Sequence, residues 1–477
     1  MGHPTIYPTG TTVYKPEKAW SGFTIYQAPD IGAMLINMNG KEVHLWKGLR
    51  GFPNKILPGG FVMGSTAVRD PKFGFQDEKD LVQVDWDGNI VWKYNFTEYI
   101  KDEGQESEWQ ARAHHDYQRE GNPVGYYAPD ANPRTDGGTT LVLAHHNVMN
   151  PAISDKELLD DTILEIDWKG NIIWRWNCNE HFDELGFDEA AKNVLFRDPN
   201  TRSFGATHAG DWMHINSASY VGPNKFYDAG DERFHPQNII WDARESNIIA
   251  IISHETGNIV WKLGPHYDTQ EVKHLGWIIG QHHAHIIPKG LPGEGNLLVF
   301  DNGGWAGYGA PNPSSPFGGK NALRDYSRVL EINPVTLEIE WQYTPEEANL
   351  PMPMDGSHFY SPYISSAQRL PNGNTLITEG SDGRIFEVTR EHELVWEYIS
   401  PYKNQKGSNM VYRAYRVPYE WVPQLPKQEE VAILPVEIAD YRLPGAAPRG
   451  ADSVAVVVEN PTLYDDALCI ASWEEKK

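Results

Sequence analysis

Short apolar runs alternate with turn-forming clusters along this chain, and one phrase recurs six times. It occupies residues 35–46 (LINMNGKEVHLW), 84–92 (VDWDGNIVW), 165–174 (EIDWKGNIIW), 251–261 (IISHETGNIVW), 331–341 (EINPVTLEIEW) and 387–396 (EVTREHELVW). Each copy is an apolar strand, a turn rich in Gly, Asn, Asp or Thr, and a second strand ending in Trp, which is a β-hairpin pattern. Two further strand-like runs precede the later copies. Examples are residues 282–288 with 296–301, and residues 365–371 with 374–379. Four strands per unit, repeated in this way, predict the blades of a β-propeller.

The first copy has only residues 22–27 before its hairpin. The missing strand is supplied late: residues 412–418 (YRAYRVP) share the shape of the strands ending at Pro288 and Pro371, and no Trp hairpin follows them. The sequence therefore predicts an all-β, six-bladed propeller over residues 1–422, closed by a late strand at about 410–418. Closure removes bare strand edges. A Pro-rich C-terminal extension, residues 423–477, is expected to pack on it. The six Trp lie 46 to 87 residues apart, whereas a blade needs about 40–50. The three middle intervals carry long insertions, expected to build a rim over one face.

Composition then narrows the partners. The chain has 477 residues, 41 basic and 65 acidic, with a formal net charge of −24. No basic stripe is present, so nucleic acid is not an expected partner. No apolar run approaches about 18 residues, so no membrane span is expected. The N-terminus has neither a basic region nor an apolar core, which predicts a cytoplasmic chain or one that begins after processing. Cys178 and Cys469 form no CxxC or zinc-ligand pattern. A homo-oligomer is compatible with the sequence.

Histidine carries the candidate chemistry. Many of the 18 histidines cluster near the starts of blade strands: His114 and His115, His145 and His146, His208, His214, His235, and His282, His283 and His285. Innermost strands of a propeller line its channel, so residues far apart in sequence meet at one mouth. Convergent titratable groups of this kind point to a site. Aromatic residues, Trp212, Trp241, Trp277 and Trp305 among them, are expected to line a pocket for a ring-bearing ligand or else to pack in the core.

Several stretches resemble the arylsulfate sulfotransferases that use no nucleotide donor. They are residues 211–217 (DWMHINS), Gln281-His282 followed by residues 295–303 (GNLLVFDNG), residues 256–261 (TGNIVW) and residues 370–376 (LPNGNTL). The resemblance spans roughly residues 20–400. It implies a channel-mouth site in which His282 is the nucleophile, carrying the sulfuryl group as a transient sulfohistidine. It also implies that His214, Arg244 and His115 hold the sulfuryl oxygens or exchange protons, and that Asn216 supports them as a donor. His114, His283, Trp212 and Tyr117 are further candidates for substrate contact. The expected substrate is a small aromatic sulfate with a phenolic acceptor, and no cofactor is implied. Sulfuryl transfer needs a neutral imidazole nucleophile, cations or N–H donors on the oxygens, and an acid–base group for the phenol.

Three other readings compete. In an ideal strand His283 and His285 share a face opposite His282, and the pair suggests a divalent transition metal ligated with His114, His115 or His214 opposite. A polysaccharide lyase would use Tyr117, Tyr126, Tyr127 and Arg244. A non-enzymatic propeller would bind a protein partner through its loops.

Overall fold

A computed structural model describes residues 9–70, 76–95, 97–101, 104–201 and 209–435, with Phe52 described by its backbone alone. His208, Cys469 and the extension beyond residue 435 lie outside the described residues. Six antiparallel sheets, each with four blade strands, form the ring. Blade 1 orders Ala414–Val417, Phe23–Ala28, Gly32–Ile36 and Glu42–Lys47 from the axis outwards. Its innermost strand is the late one, pairing Phe23 with Val417 and Tyr26 with Ala414. Blades 2 to 6 begin at the axis with Arg50–Leu57, Ala113–Arg119, Ile215–Tyr220, His282–Ile286 and Ser366–Arg369.

The six-fold phrase explains how blades adhere. Every outer strand places an indole that donates its N–H to a turn carbonyl of the next blade. Trp46 donates to Asp85, Trp92 to Trp168, Trp176 to Gly257, Trp261 to Pro334, Trp341 to Arg390 and Trp396 to Met38. The last of these joins blade 6 to blade 1 and completes the circle. In blade 3 the phrase points to Trp174. The structure leaves that ring half-buried on the His254 carbonyl, and the buried indole is Trp176, two residues on. A large apolar ring with one satisfied donor suits such a seam.

A fifth strand, Gly10–Tyr14, pairs with the outer strand Leu394–Ile399 of blade 6. It covers an edge that would otherwise be bare. The first part of the C-terminal extension follows it: Ile433 and Tyr14 exchange backbone hydrogen bonds.

The insertions do not all rise over one face, as the sequence reading expects. In blades 3 to 5 the inner strands start at the mouth, and the strands alternate in direction. Connections such as 264–281 and 302–327 therefore lie at the mouth, while 120–139 and 221–238 lie at the opposite end. The 120–139 connection packs Val124, Tyr126 and Ala128 into the largest core cluster. Tyr126 donates its hydroxyl to Nε2 of His285 at 2.9 Å. This loop plugs the channel from below.

Candidate active site

Four of the inner strands carry a register shift near the mouth: between Arg50 and Lys55, Ala113 and Tyr117, Ile215 and Ser217, and His282 and His285. His115, His214 and His283 sit at these irregularities with φ near +56°. A left-handed residue in a strand interrupts the alternation of faces and re-aims its neighbours. For His282 and His283 this removes the conflict posed by an ideal strand. His282 faces the mouth. His283 and His285 face the channel below, beside Tyr415 and Tyr126.

His282 is buried and closely oriented. Its Nδ1–H donates to Oδ1 of Asn302 at 2.8 Å, with Gly280 O also near at 3.1 Å. Asn302 cannot turn over, because its amide N–H groups donate to the carbonyls of Ser361 and Ile364. With the proton on Nδ1, Nε2 keeps its lone pair. That lone pair accepts a hydrogen bond from the Ile364 N–H at 3.2 Å, which an incoming sulfuryl group has to displace. Ile364 and Ser365 both have positive φ, unusual for a β-branched residue and a mark of a backbone held in place by its surroundings. Burial, then the Arg244 guanidinium, pushes the His282 pKa well below the ordinary imidazole range, so the ring is neutral at pH 7.

The other candidates surround it. The His214 imidazole donates Nδ1–H to Asp211 Oδ2 at 2.5 Å. Burial would raise the Asp211 carboxyl, but the His214 ring beside it holds the carboxyl below its usual range. His115 lies edge-on to His214, ring centroids 4.8 Å apart, and 5.8 Å from the Tyr412 ring. Burial, then His214 and His114, lower its pKa well below normal. Arg244 follows the strand Ile239–Ala243, and its backbone N–H donates to the His214 carbonyl. Its guanidinium pairs with Glu245 and lies close enough to act on both His282 and Asp211.

Below the mouth, Lys55, Asp116 and Arg413 form a fully buried charge cluster. Lys55 Nζ lies 2.6 Å from Asp116, and Arg413 lies 3.0 Å from the same carboxylate. Burial outweighs that attraction and lowers the Lys55 ammonium to about 8. Arg413 also donates to the carbonyl of Asn216.

Several residues named from sequence occupy other places. Asn216 spends its amide on the next blade, donating to Gln281 O and accepting from His283 N–H. It positions the His282 strand and faces no open space. Trp212 is fully buried and donates to Asp160. Tyr117 is buried, with its hydroxyl on the Pro53 and Met63 carbonyls. Both rings fill seams between strands, because an indole or phenol with a satisfied donor packs well there. His114 stands behind His115, with Nδ1 to Nδ1 at 2.8 Å. Trp241 is core, whereas Trp277 and Trp305 are partly exposed. His285 has both ring nitrogens engaged, on His283 O and Tyr126, so it offers a metal no free ligand atom as the two rings stand. The lyase set is divided: Tyr126 and Tyr127 belong to the plug, at the end of the channel away from Arg244.

Sequence reasoning overlooked Asn302, Asp211 and the Ile364 amide. Asn302 and Asp211 stand inside the stretches 295–303 and 211–217, and a polar residue at a strand end beside a candidate His was the available signal. No residue pattern announces the Ile364 amide.

Comparison with known proteins adds one substantial match. A family model described as Arylsulfotransferase (ASST) matches residues 126–416. No curated protein sequence matches the chain. Among solved structures, a protein of unknown function from Bacteroides caccae shares 11% identity at a TM-score of 0.43, covering 83% of this chain and 99% of that one. A streptogramin B lyase shares 10% identity at a TM-score of 0.34, covering 87% and 96%. The virginiamycin B lyase of Staphylococcus aureus shares 12% at 0.31, covering 83% and 86%. Likeness at this level carries no argument about activity. No helix among the described residues is long and apolar enough to cross a membrane.

Proposed function

The chain belongs to the arylsulfotransferase family, and from that premise we propose that it moves a sulfuryl group from an aryl sulfate to a phenol through Nε2 of His282. The observation that carries this reading is the Asn302 hydrogen bond to Nδ1 of His282. It leaves an unprotonated nitrogen on a neutral ring at the floor of a site bordered by His115, His214 and Arg244.

In the first half-reaction the Nε2 lone pair forms an N–S bond as the bond from sulfur to the aryl oxygen breaks. The departing aryl oxide takes a proton, which His214, backed by Asp211, is placed to supply, while the neutral His115 ring can donate a hydrogen bond to it. In the second half-reaction the acceptor phenol gives its proton back and its oxygen attacks sulfur, breaking the N–S bond. Atoms and charge balance without an added co-reactant. Charge that grows on the sulfuryl oxygens meets the Arg244 guanidinium, a cation held out of bulk water, where such a group is most effective. Asp211 orients His214 and steadies its imidazolium, as a buried carboxylate does for a general base. A covalent carrier makes the kinetics ping-pong.

The test is intact-mass analysis after brief incubation with 4-nitrophenyl sulfate and no acceptor. The wild type should gain the mass of one SO₃ group and release one 4-nitrophenolate. His282→Ala should do neither and should lose turnover. His214→Ala and Arg244→Ala should each cost about 10²–10⁴-fold in kcat/KM. Wild-type turnover by His282→Ala would refute the assignment.

A further inference from the structure

Directly behind His115, three buried side chains bring unsatisfied atoms close together. His114 Nε2, His145 Nε2 and Asp161 Oδ1 lie within 4.8 Å of one another. None has a hydrogen-bond partner among the described residues. The Asp161 oxygen is 3.3 Å from His114 Nε2 and 3.6 Å from His145 Nε2, and the side chains are essentially inaccessible. Both contacts fall outside hydrogen-bond geometry. Orphaned polar atoms this deeply buried are rare and need a partner. The spacing suggests one, because ligand atoms held about 2.0–2.2 Å from a tetrahedral ion sit about 3.3–3.6 Å apart.

The surroundings suit a cation. His145 donates Nδ1–H to Asp77 Oδ1 at 2.6 Å, leaving Nε2 as the lone-pair nitrogen. Asp77 is itself held by Arg112 at 2.8 Å. A carboxylate fixing the far side of a ligating imidazole is a common metal-site support. Asp160, Asp161 and Asp211 bring three carboxylates under the mouth, and their ion-pair partners within 4 Å among the described residues are histidines. The two imidazoles are stacked, with centroids 3.5 Å apart and planes 11° apart, and both present Nε2 to the same carboxylate. Coordination requires only that they fan apart.

We propose that His114, His145 and Asp161 bind one divalent first-row transition-metal ion, and that this ion fixes the proton of His115. Resting on the sulfuryl-transfer reading, the consequence for chemistry is direct. A metal on His114 Nε2 places the His114 proton on Nδ1, where it donates to His115 Nδ1 at 2.8 Å. The His115 proton then sits on Nε2. That makes His115 a donor, suited to a sulfuryl oxygen or to the leaving aryl oxide, and the ion itself touches no substrate.

Elemental mass spectrometry on full-length protein, purified without a polyhistidine tag and dialysed against metal-free buffer, tests this. The wild type should retain about one ion per chain. His145→Ala and the near-isosteric Asp161→Asn should fall at least about tenfold, while His274→Ala, at an exposed histidine, should match the wild type. Cobalt(II) added to chelator-treated wild type should give visible d–d absorption that Asp161→Asn lacks. If the variants do not fold, the wild-type metal content and cobalt spectrum decide alone. An ion-free wild type that takes up no cobalt overturns the proposal. Equal metal in wild type and a folded Asp161→Asn overturns it as well. Metal content is read without substrate, so it stands or falls apart from the sulfuryl-transfer reading.

Discussion

At the scale of single residues, the decisive contact is the one between His282 and Asn302. An imidazole is useful as a nucleophile only if its proton rests on the nitrogen facing away from substrate. Here the Asn302 carbonyl holds that proton, and two backbone carbonyls hold Asn302. Asn302→Ala should therefore lower kcat about 10–100-fold, the usual cost of losing the group that orients a working histidine, with KM little changed. Asn302→Asp keeps the acceptor but turns a carboxylate oxygen against the Ser361 and Ile364 carbonyls, so it should not restore the rate. Steady-state kinetics on Asn302→Ala would decide it. An unchanged kcat would mean that the ring is oriented without the amide.

At the scale of elements, the six indoles are the fasteners between blades. Trp396 closes the ring, donating to Met38 from the outer strand of blade 6 to the turn of blade 1. Trp396→Phe keeps an aromatic ring but leaves that buried carbonyl without its donor. The expected loss is about 1–3 kcal/mol, read as a lower midpoint in urea unfolding. An unchanged midpoint would mean that the seam is held by packing alone. The strand Gly10–Tyr14 covers the same blade from outside, so both chain ends contribute to closure: one lies at the outer edge of blade 6 and the other at the axis of blade 1. The sequence pattern exposes the second of these strands and hides the first. GTTVY has no hairpin of its own, and its partner lies more than 380 residues away.

At the scale of the whole molecule, the channel gathers titratable groups out of water, and stability should follow pH accordingly. Setting aside the proposed metal ligands, five imidazoles near the channel, of His115, His146, His282, His283 and His285, have pKa values below normal, with burial as the leading cause. Burial raises three carboxyls, of Asp160, Asp242 and Glu379, to about 7. Unfolded histidine titrates near about 6.5, and unfolded carboxyls near about 4. Between these limits the unfolded chain takes up five protons that the fold refuses, while the fold keeps three that the unfolded chain releases. The unfolded state binds more, so stability falls as pH falls from about 6.5 towards 5. Circular-dichroism melts should give a lower Tm at pH 5 than at pH 7.5, and an equal or higher value would contradict this accounting.

The amino-acid sequence by itself determined the blade count, the closing strand, five of the six seam tryptophans and the gathering of His115, His214, Arg244 and His282. Each follows from periodicity along the chain and from the single axis that a closed ring imposes. Tertiary structure alone decided where individual side chains point. One left-handed residue in a strand re-aims its neighbours, so the alternation that set His282 against His283 and His285 did not survive the bulge. It likewise took the folded chain to bring Asn302 to His282, to stack His114 on His145, to turn Asn216 and Trp212 inward and to close one end of the channel with Tyr126. Those contacts join residues tens to hundreds of positions apart, where no local pattern constrains the partner.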